Sequence, residues 1–190
     1  MGNFHKVMII ADGDNAFMAA QNFNRKINWH KMRDYLADPK EGRELIEMLI
    51  YLGLPPAKER FEEQRKGKEK FVYCARSSGF LVVTKEGKAK GDGYESNVDV
   101  VMAIDAMELS LEIKPDIVVL VTGDSDFAYL AEKLRKRGIR VEVASVEQSL
   151  GSELKNSANS VVDLSEVFDN FDPHNSNQEY HRIGNANIFD

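Results

Sequence analysis

The tightest constraint on this chain is a pattern it uses twice, an apolar run that ends abruptly in an acidic turn. Residues 7–11 (Val-Met-Ile-Ile-Ala) lead into Asp12-Gly13-Asp14-Asn15, and Ile117–Val121 leads into Thr122-Gly123-Asp124-Ser125-Asp126. A continuous apolar strand has no polar face to turn to water, so each run is predicted to be an inner strand of a parallel sheet covered on both sides. The Gly, Asp and Asn residues that follow would stop each strand and open a helix.

The remaining segments extend this alternation. Spacing predicts helices over 16–25 and 29–36, the first capped by Asp14 or Asn15 and the second by Asn28. Residues 44–52 fit a helix by the spacing of Leu45, Ile46, Leu49 and Ile50 and a buried strand by their length and the Gly53-Leu54-Pro55-Pro56 stop, the strand being the preferred reading; a charged amphipathic helix is expected over 57–78 and a strand at 80–84. Residues 85–93, with three glycines and three lysines and no apolar period, are expected to form a mobile loop feeding a mostly buried helix over 98–111. After the second acidic turn come a helix to about 137 stopped by Gly138, a strand at 140–144, a short helix at 152–159 and a closing strand at 161–164. Strands alternating with helices imply right-handed parallel crossovers, hence an α/β fold: a three-layer sandwich with a mostly parallel central sheet, Rossmann-like in outline. One domain over 1–168 is expected. Residues 169–190 turn to Asn, Asp and His with little to bury, and are expected to be disordered or a peripheral arm.

Composition narrows the function classes. The chain has 190 residues, 43% of them apolar, enough for one well-buried core. No apolar run exceeds five residues, far short of the roughly 20 that span a bilayer. With no recognisable leader and with Cys74 lacking a second cysteine, a cytoplasmic location and a buried, inert thiol are expected. His5, His30, His174 and His181 show no metal-ligand spacing and are expected at the surface. Gly87, Gly91 and Gly93 do not build a phosphate loop, because no Gly-Lys-Ser/Thr follows a strand there. Net charge is −6, yet residues 55–90 carry ten cations against five carboxylates, leaving −11 for the rest. That segregation points to an anionic ligand lying across one region, with a solvated helix face as the other reading.

Parallel strands all point one way, so both acidic turns belong at the carboxyl rim of the sheet, where open α/β sheets bind ligands. Asp12, Asp124 and Asp126 would meet there, joined by Asp99 from the first turn of helix 98–111, where the helix dipole favours negative charge. Converging carboxylates repel, so either some are protonated or a cation compensates them, a hard divalent ion being the simplest answer. Oxygen donors without a Cys/His cluster suit Mg²⁺ or Mn²⁺ rather than zinc, and such an ion serves phosphoester hydrolysis. Helix capping is the competing role for Asp12 and Asp124. Asp14 is expected as a cap or turn residue, Asn15 as a cap or a hydrogen-bond partner of Asp12, and Thr122 and Ser125 as hydroxyls orienting the acidic loop. Asp105 lies on the stripe Val98, Val101, Met102, Asp105, Leu109, and is either a support of the metal site or a carboxylate bound to backbone donors or a lysine.

Three segments, 7–15 (VMIIADGDN), 98–107 (VDVVMAIDAM) and 118–143 (VVLVTGDSDFAYLAEKLRKRGIRVEV), resemble in sequence, order and spacing the NYN domain of the LabA-like branch, a relative of the PIN nuclease fold. The resemblance extends from about 5 to 168. It implies a PIN-like parallel sheet, an acidic set at Asp12, Asp99, Asp124 and Asp126 with Asn15 and Asp105 associated, and Mg²⁺- or Mn²⁺-dependent cleavage of RNA. One departure stands out. Family members usually carry Lys-Gly directly before the Val-Asp pair, whereas here Lys90-Gly91 is separated from Val98-Asp99 by six residues.

The leading expectation is therefore a ribonuclease that holds metal on Asp12, Asp99, Asp124 and Asp126 and contacts single-stranded RNA through Lys85, Lys88, Lys90, Arg65 and Arg76. A non-catalytic RNA-binding or regulatory module is the first alternative. The second is a small-molecule phosphatase of haloacid-dehalogenase type, suggested by Asp12-Gly13-Asp14 and the Thr-Gly-Asp-Ser-Asp turn. Oligomeric state stays open, with a homodimer in view because small α/β domains often pair.

Overall fold

The computed structural model describes residues 4–170. Six strands, β1 (His5–Asp12), β3 (Arg43–Leu54), β4 (Leu81–Glu86), β7 (Ile117–Val121), β8 (Arg140–Ser145) and β9 (Ser160–Asp163), form one sheet in the order β4-β3-β1-β7-β8-β9. Every neighbouring pair is parallel. Two short antiparallel pairs are added at the periphery, β2 (Arg25–Lys26) with β10 (Asp169–Asn170), and β5 (Lys88–Lys90) with β6 (Gly93–Glu95).

Alternate residues of β1 feed opposite layers. Val7, Ile9 and Ala11 face the core under α1 (Gly13–Asn22), α2 (Trp29–Leu36) and α3 (Glu62–Ser77), whereas Met8 and Ile10 face the core under α4 (Val98–Ile113), α5 (Ala128–Arg135) and α6 (Ser152–Ser157). The first layer is pinned by edge-on contacts of Phe17 with Trp29 (5.8 Å) and Phe71 (5.1 Å). The result is the expected three-layer α/β sandwich. Chain order places β3 on one side of β1 and β7 on the other, so the sheet order reverses between β1 and β7. Among the described residues no helix is long and apolar enough to cross a membrane.

Several local expectations need correction. Helix α1 begins at Gly13 rather than 16, because Asp12, not Asp14 or Asn15, is its cap: Asp12 Oδ1 accepts from the Asn15 backbone N at 3.0 Å. Asn28 caps α2 as expected, accepting from Lys31 N at 2.9 Å. Residues 85–93 are no mobile loop. They extend β4 and build the β5–β6 hairpin, held by Arg60 donating to the Gly91 carbonyl (3.1 Å), by the Phe61 ring edge-on to Tyr94 (5.8 Å) and by Tyr94 Oη donating to the Gly53 carbonyl (3.2 Å). The six residues between Lys90-Gly91 and Val98-Asp99 thus supply the return strand of this hairpin and its link to α4.

Helix α4 is not mostly buried either. It turns Val98, Met102, Ala106 and Ser110 inward but leaves Val100 53% and Ile104 60% exposed, because nothing in the described chain lies outside this layer. Cys74 is only half-buried, and His30 is half-buried with its ring 4.9 Å from that of Phe80. The first two residues assigned to the tail pair with β2, while 171–190, including His174 and His181, lie outside the described residues.

Candidate active site

Asp12 ends β1 and Asp124 follows β7, on either side of the point where the sheet order reverses. Both carboxylates cap the helical turn that comes next, and each does so with one oxygen. Asp12 Oδ1 receives Asn15 N, and Asp124 Oδ1 receives Asp126 N, each at 3.0 Å. Capping and a rim role are therefore compatible, because each cap uses only one oxygen of its carboxylate. Asp12 Oδ2 has the Thr122 hydroxyl at 3.5 Å, a long contact, and Thr122 Oγ1 in turn accepts from Asp124 N at 3.2 Å. Asn15 ties the two turns together, its Oδ1 accepting from Gly123 N at 2.9 Å.

Where the loop after β7 meets the segment around Gly151, neither Gly123 nor Gly151 has room for a side chain. A Cβ on Gly123 would lie 1.9 Å from the Ser149 carbonyl oxygen, and one on Gly151 would lie 2.0 Å from Ser125 Oγ. Gly151 N also donates to the Gly123 carbonyl at 2.8 Å. Ser125 thus packs on Gly151.

Burial raises the Asp12 carboxyl from 3.8 to about 6; the Asn15 backbone donor opposes this, while the neighbouring charges of Asp14 and Asp124 add to it. Asp14 is a third exposed and fully engaged: one oxygen pairs with the ammonium of Lys68, the other accepts from Gly53 N at 2.9 Å. Lys68, 1% exposed, donates also to the Gly53 carbonyl at 2.7 Å and lies 5.5 Å from the centre of the Tyr94 ring. This buried lysine was not singled out from sequence. Its signal was there, since Lys68, Phe71, Val72 and Ala75 follow the i, i+3, i+4, i+7 spacing of an inward stripe.

The other acidic candidates sit further along the rim. Asp99, half-buried in the first turn of α4, and Asp126, exposed, line the mouth of one groove between α4 and α5. Asp105 accepts from the Tyr51 hydroxyl at 3.0 Å, neither a backbone donor nor a lysine; Tyr51 is fully buried in β3, so the bond ties α4 to the sheet. Burial and the Asp105 carboxylate together push the Tyr51 hydroxyl up, keeping it a donor.

The donor chemistry fits a hard divalent cation. Asp12 and Asp124 each have one carboxylate oxygen outside the cap, and burial, with the neighbouring carboxylates adding to it, disfavours charge on Asp12 in a way that a cation would offset. Among the described residues no three acidic, His or Cys side chains form a group that could hold a metal ion, so the expected meeting of Asp12, Asp99, Asp124 and Asp126 at one point is not seen. Mg²⁺ tolerates this, since it keeps several waters and takes few protein ligands beside substrate oxygens.

Of the basic candidates, Arg65 donates to the Pro55 carbonyl (2.6 Å) and pairs with Glu69 and Glu86, Arg76 donates to the Val82 carbonyl (2.8 Å), and Lys90 pairs with Glu95 (2.7 Å). These three brace the α3–β4–hairpin corner. Lys85 and Lys88 are exposed along β4 and β5.

A family model described as the NYN domain matches residues 6–165. The chain is 27% identical over 169 residues to "Low amplitude and bright protein LabA" of Synechococcus elongatus, covering 85% of each chain. It is also 27% identical over 164 residues to an uncharacterized protein of Methanocaldococcus jannaschii, spanning 86% of this chain but 57% of that longer one. In three dimensions it resembles the crystal structure of a protein of unknown function from Vibrio parahaemolyticus, with a TM-score of 0.69 and 22% identity over 88% of this chain and 98% of the other. That likeness concerns the fold.

Proposed function

Because this chain belongs to the NYN domain family, with its PIN-like, nuclease-type sheet, we propose that it is a metal-dependent ribonuclease that hydrolyses RNA phosphodiester bonds at the carboxyl rim of β1 and β7. The observation that carries this reading is geometric: Asp12 at the end of β1 and Asp124 after β7 stand on either side of the reversal of the sheet order, each using one carboxylate oxygen for its helix cap.

Asp12 and Asp124 would hold Mg²⁺ or Mn²⁺, the ion keeping several of its waters. When bound, such an ion acidifies water and neutralises charge on a phosphoryl oxygen. The chain's own contribution is positioning. Asn15 and Thr122 tie the two turns together and so fix Asp12 and Asp124 relative to one another. Tyr51 holds Asp105, and so the helix that carries Asp99. Asp14 and Lys68 fix the end of β3 against α1 and keep one of the local negative charges compensated. Lys85 and Lys88 supply exposed cations for the RNA backbone, an attraction that weakens as salt rises.

The phosphatase alternative needs Asp14 as an available proton donor. With both of its oxygens committed to Lys68 and Gly53, Asp14 is poorly placed for that work.

The test is incubation with single-stranded RNAs in Mg²⁺ or Mn²⁺ beside an Asp124→Asn control. Cleavage by the native chain alone is expected. RNA binding without cleavage above the control would instead make this a binding module, and neither binding nor cleavage would remove RNA from the reading.

A further inference from the structure

Helix α4 presents a contradiction between composition and placement. Its sequence, Val-Asp-Val-Val-Met-Ala-Ile-Asp-Ala-Met-Glu-Leu-Ser-Leu-Glu-Ile, is apolar on nearly every face, as in helices covered all round, yet only one face meets the sheet. On the opposite face Val100, Ile104, Met107 and Leu111 recur at i, i+4, i+7, i+11 and, with Tyr129 of α5, line an open groove of about 930 Å³. Val100, Ile104 and Tyr129 are 53%, 60% and 65% exposed. An apolar patch this continuous marks an interaction surface.

We propose that this face is where two copies of the chain pair, α4 against α4, about a two-fold axis crossing the helix near Ile104 and Met107. The argument for a second copy is the distribution of charge around the groove. Its rim end carries Asp99 and Asp126, its other end Lys133 and Arg137, with Glu108 between. A two-fold axis across the stripe reverses one copy, so the acidic end of each meets the basic end of the other while the apolar centres stack. Self-complementarity of this kind is what an isologous interface requires. A nucleic acid is a poorer occupant, since the lining is mainly aliphatic and one mouth is negative. Pairing in this way also brings Lys133 and Arg137 of the second copy up to Asp99 and Asp126, placing positive charge from one copy beside the candidate active site of the other. The pairing itself does not depend on the hydrolytic reading.

Sedimentation or light scattering of the full chain over a range of micromolar concentrations tests this. A dimer is expected, converted to monomer by Ile104→Glu with an unchanged far-ultraviolet spectrum and a cooperative melt. Lys133→Glu combined with Arg137→Glu, which leaves the apolar stripe intact, should weaken dimerisation by roughly tenfold or more. As an independent check, Met107→Cys in a Cys74→Ser background should give a disulfide-linked dimer under mild oxidation. A native chain that stays monomeric overturns the proposal, as does a dimer that survives Ile104→Glu. In a monomer, thiol labelling of Ile104→Cys would then identify the other occupant: labelling that appears only on deleting 171–190 assigns the groove to that segment, and protection gained only with RNA assigns it to substrate.

Discussion

The Asn15 side chain accepts a hydrogen bond from the Gly123 backbone at 2.9 Å, joining two turns that lie 108 residues apart in sequence. Through this bond the loop that carries Asp124 is fixed relative to the helix start capped by Asp12. Asn15→Ala would leave the partly buried Gly123 N–H without its partner and cost about 1–3 kcal/mol. Urea unfolding should show that loss, and Mn²⁺ affinity by calorimetry should fall with it. Stability lost with metal affinity unchanged would mean that the bond does not position the carboxylates.

Asp12 gives the fold a pH dependence of definite sign. Its carboxyl lies at about 6 in the folded chain, against 3.8 ordinarily. Below 3.8 it is protonated in both states. Between 3.8 and about 6 the folded chain keeps a proton that the unfolded chain has lost, so stability falls as pH rises, by on the order of 3 kcal/mol in total. Asp12→Asn retains a good helix cap and removes this penalty. Melting curves should therefore show the variant more stable than the native chain at pH 8 and much closer to it at pH 4, while metal-dependent cleavage is lost. Equal differences at both pH values would contradict the raised carboxyl.

Lys68 and Asp14 are unequal partners, 2% and 34% exposed at the side chain. Asp14→Asn strands a buried ammonium and should destabilise by about 3–5 kcal/mol. Lys68→Met strands a carboxylate that water can partly reach, so a smaller loss of about 2–3 kcal/mol is expected. The second variant also leaves Asp14 uncompensated beside Asp12, which should move the Asp12 titration, followed by NMR, to higher pH. An unmoved titration would sever Lys68 from the site's electrostatics.

Two glycine variants separate stability from site geometry. Gly123→Ala forces a Cβ onto the Ser149 backbone and should destabilise by about 1–3 kcal/mol while disturbing the Asp124 turn. Gly138→Ala meets no neighbour but sits at φ +81°, so it should cost about 1 kcal/mol through backbone strain alone. Only the first is expected to lower Mn²⁺ affinity. Equal effects of the two variants on metal binding would show that the loss at Gly123 is global.

What the residue order determined by itself was whatever depends on neighbours a few positions away. Apolar runs of five residues at 7–11 and 117–121 require burial on both faces, and hence a parallel sheet with helices on either side, wherever the rest of the chain goes. Chain direction then puts Asp12 and Asp124 on the same rim, and Asn28 announced its helix cap.

Tertiary structure decided the rest, because the remaining roles depend on partners distant in sequence. Asp14 looked like a turn residue until Lys68 came to it from α3, 54 positions away. The lysine and glycine segment at 85–93 has no local period, and it became a hairpin only because Arg60, Phe61 and Gly53 were there to hold it. Asp105 found Tyr51 of β3, and Arg65 and Arg76 were drawn into contacts with the Pro55 and Val82 carbonyls. Helix α4 is the clearest case. Its apolar composition called for cover on all sides, but the sandwich ends with this helix, and no count of residues along one chain could say whether a further layer or a second molecule would lie beyond.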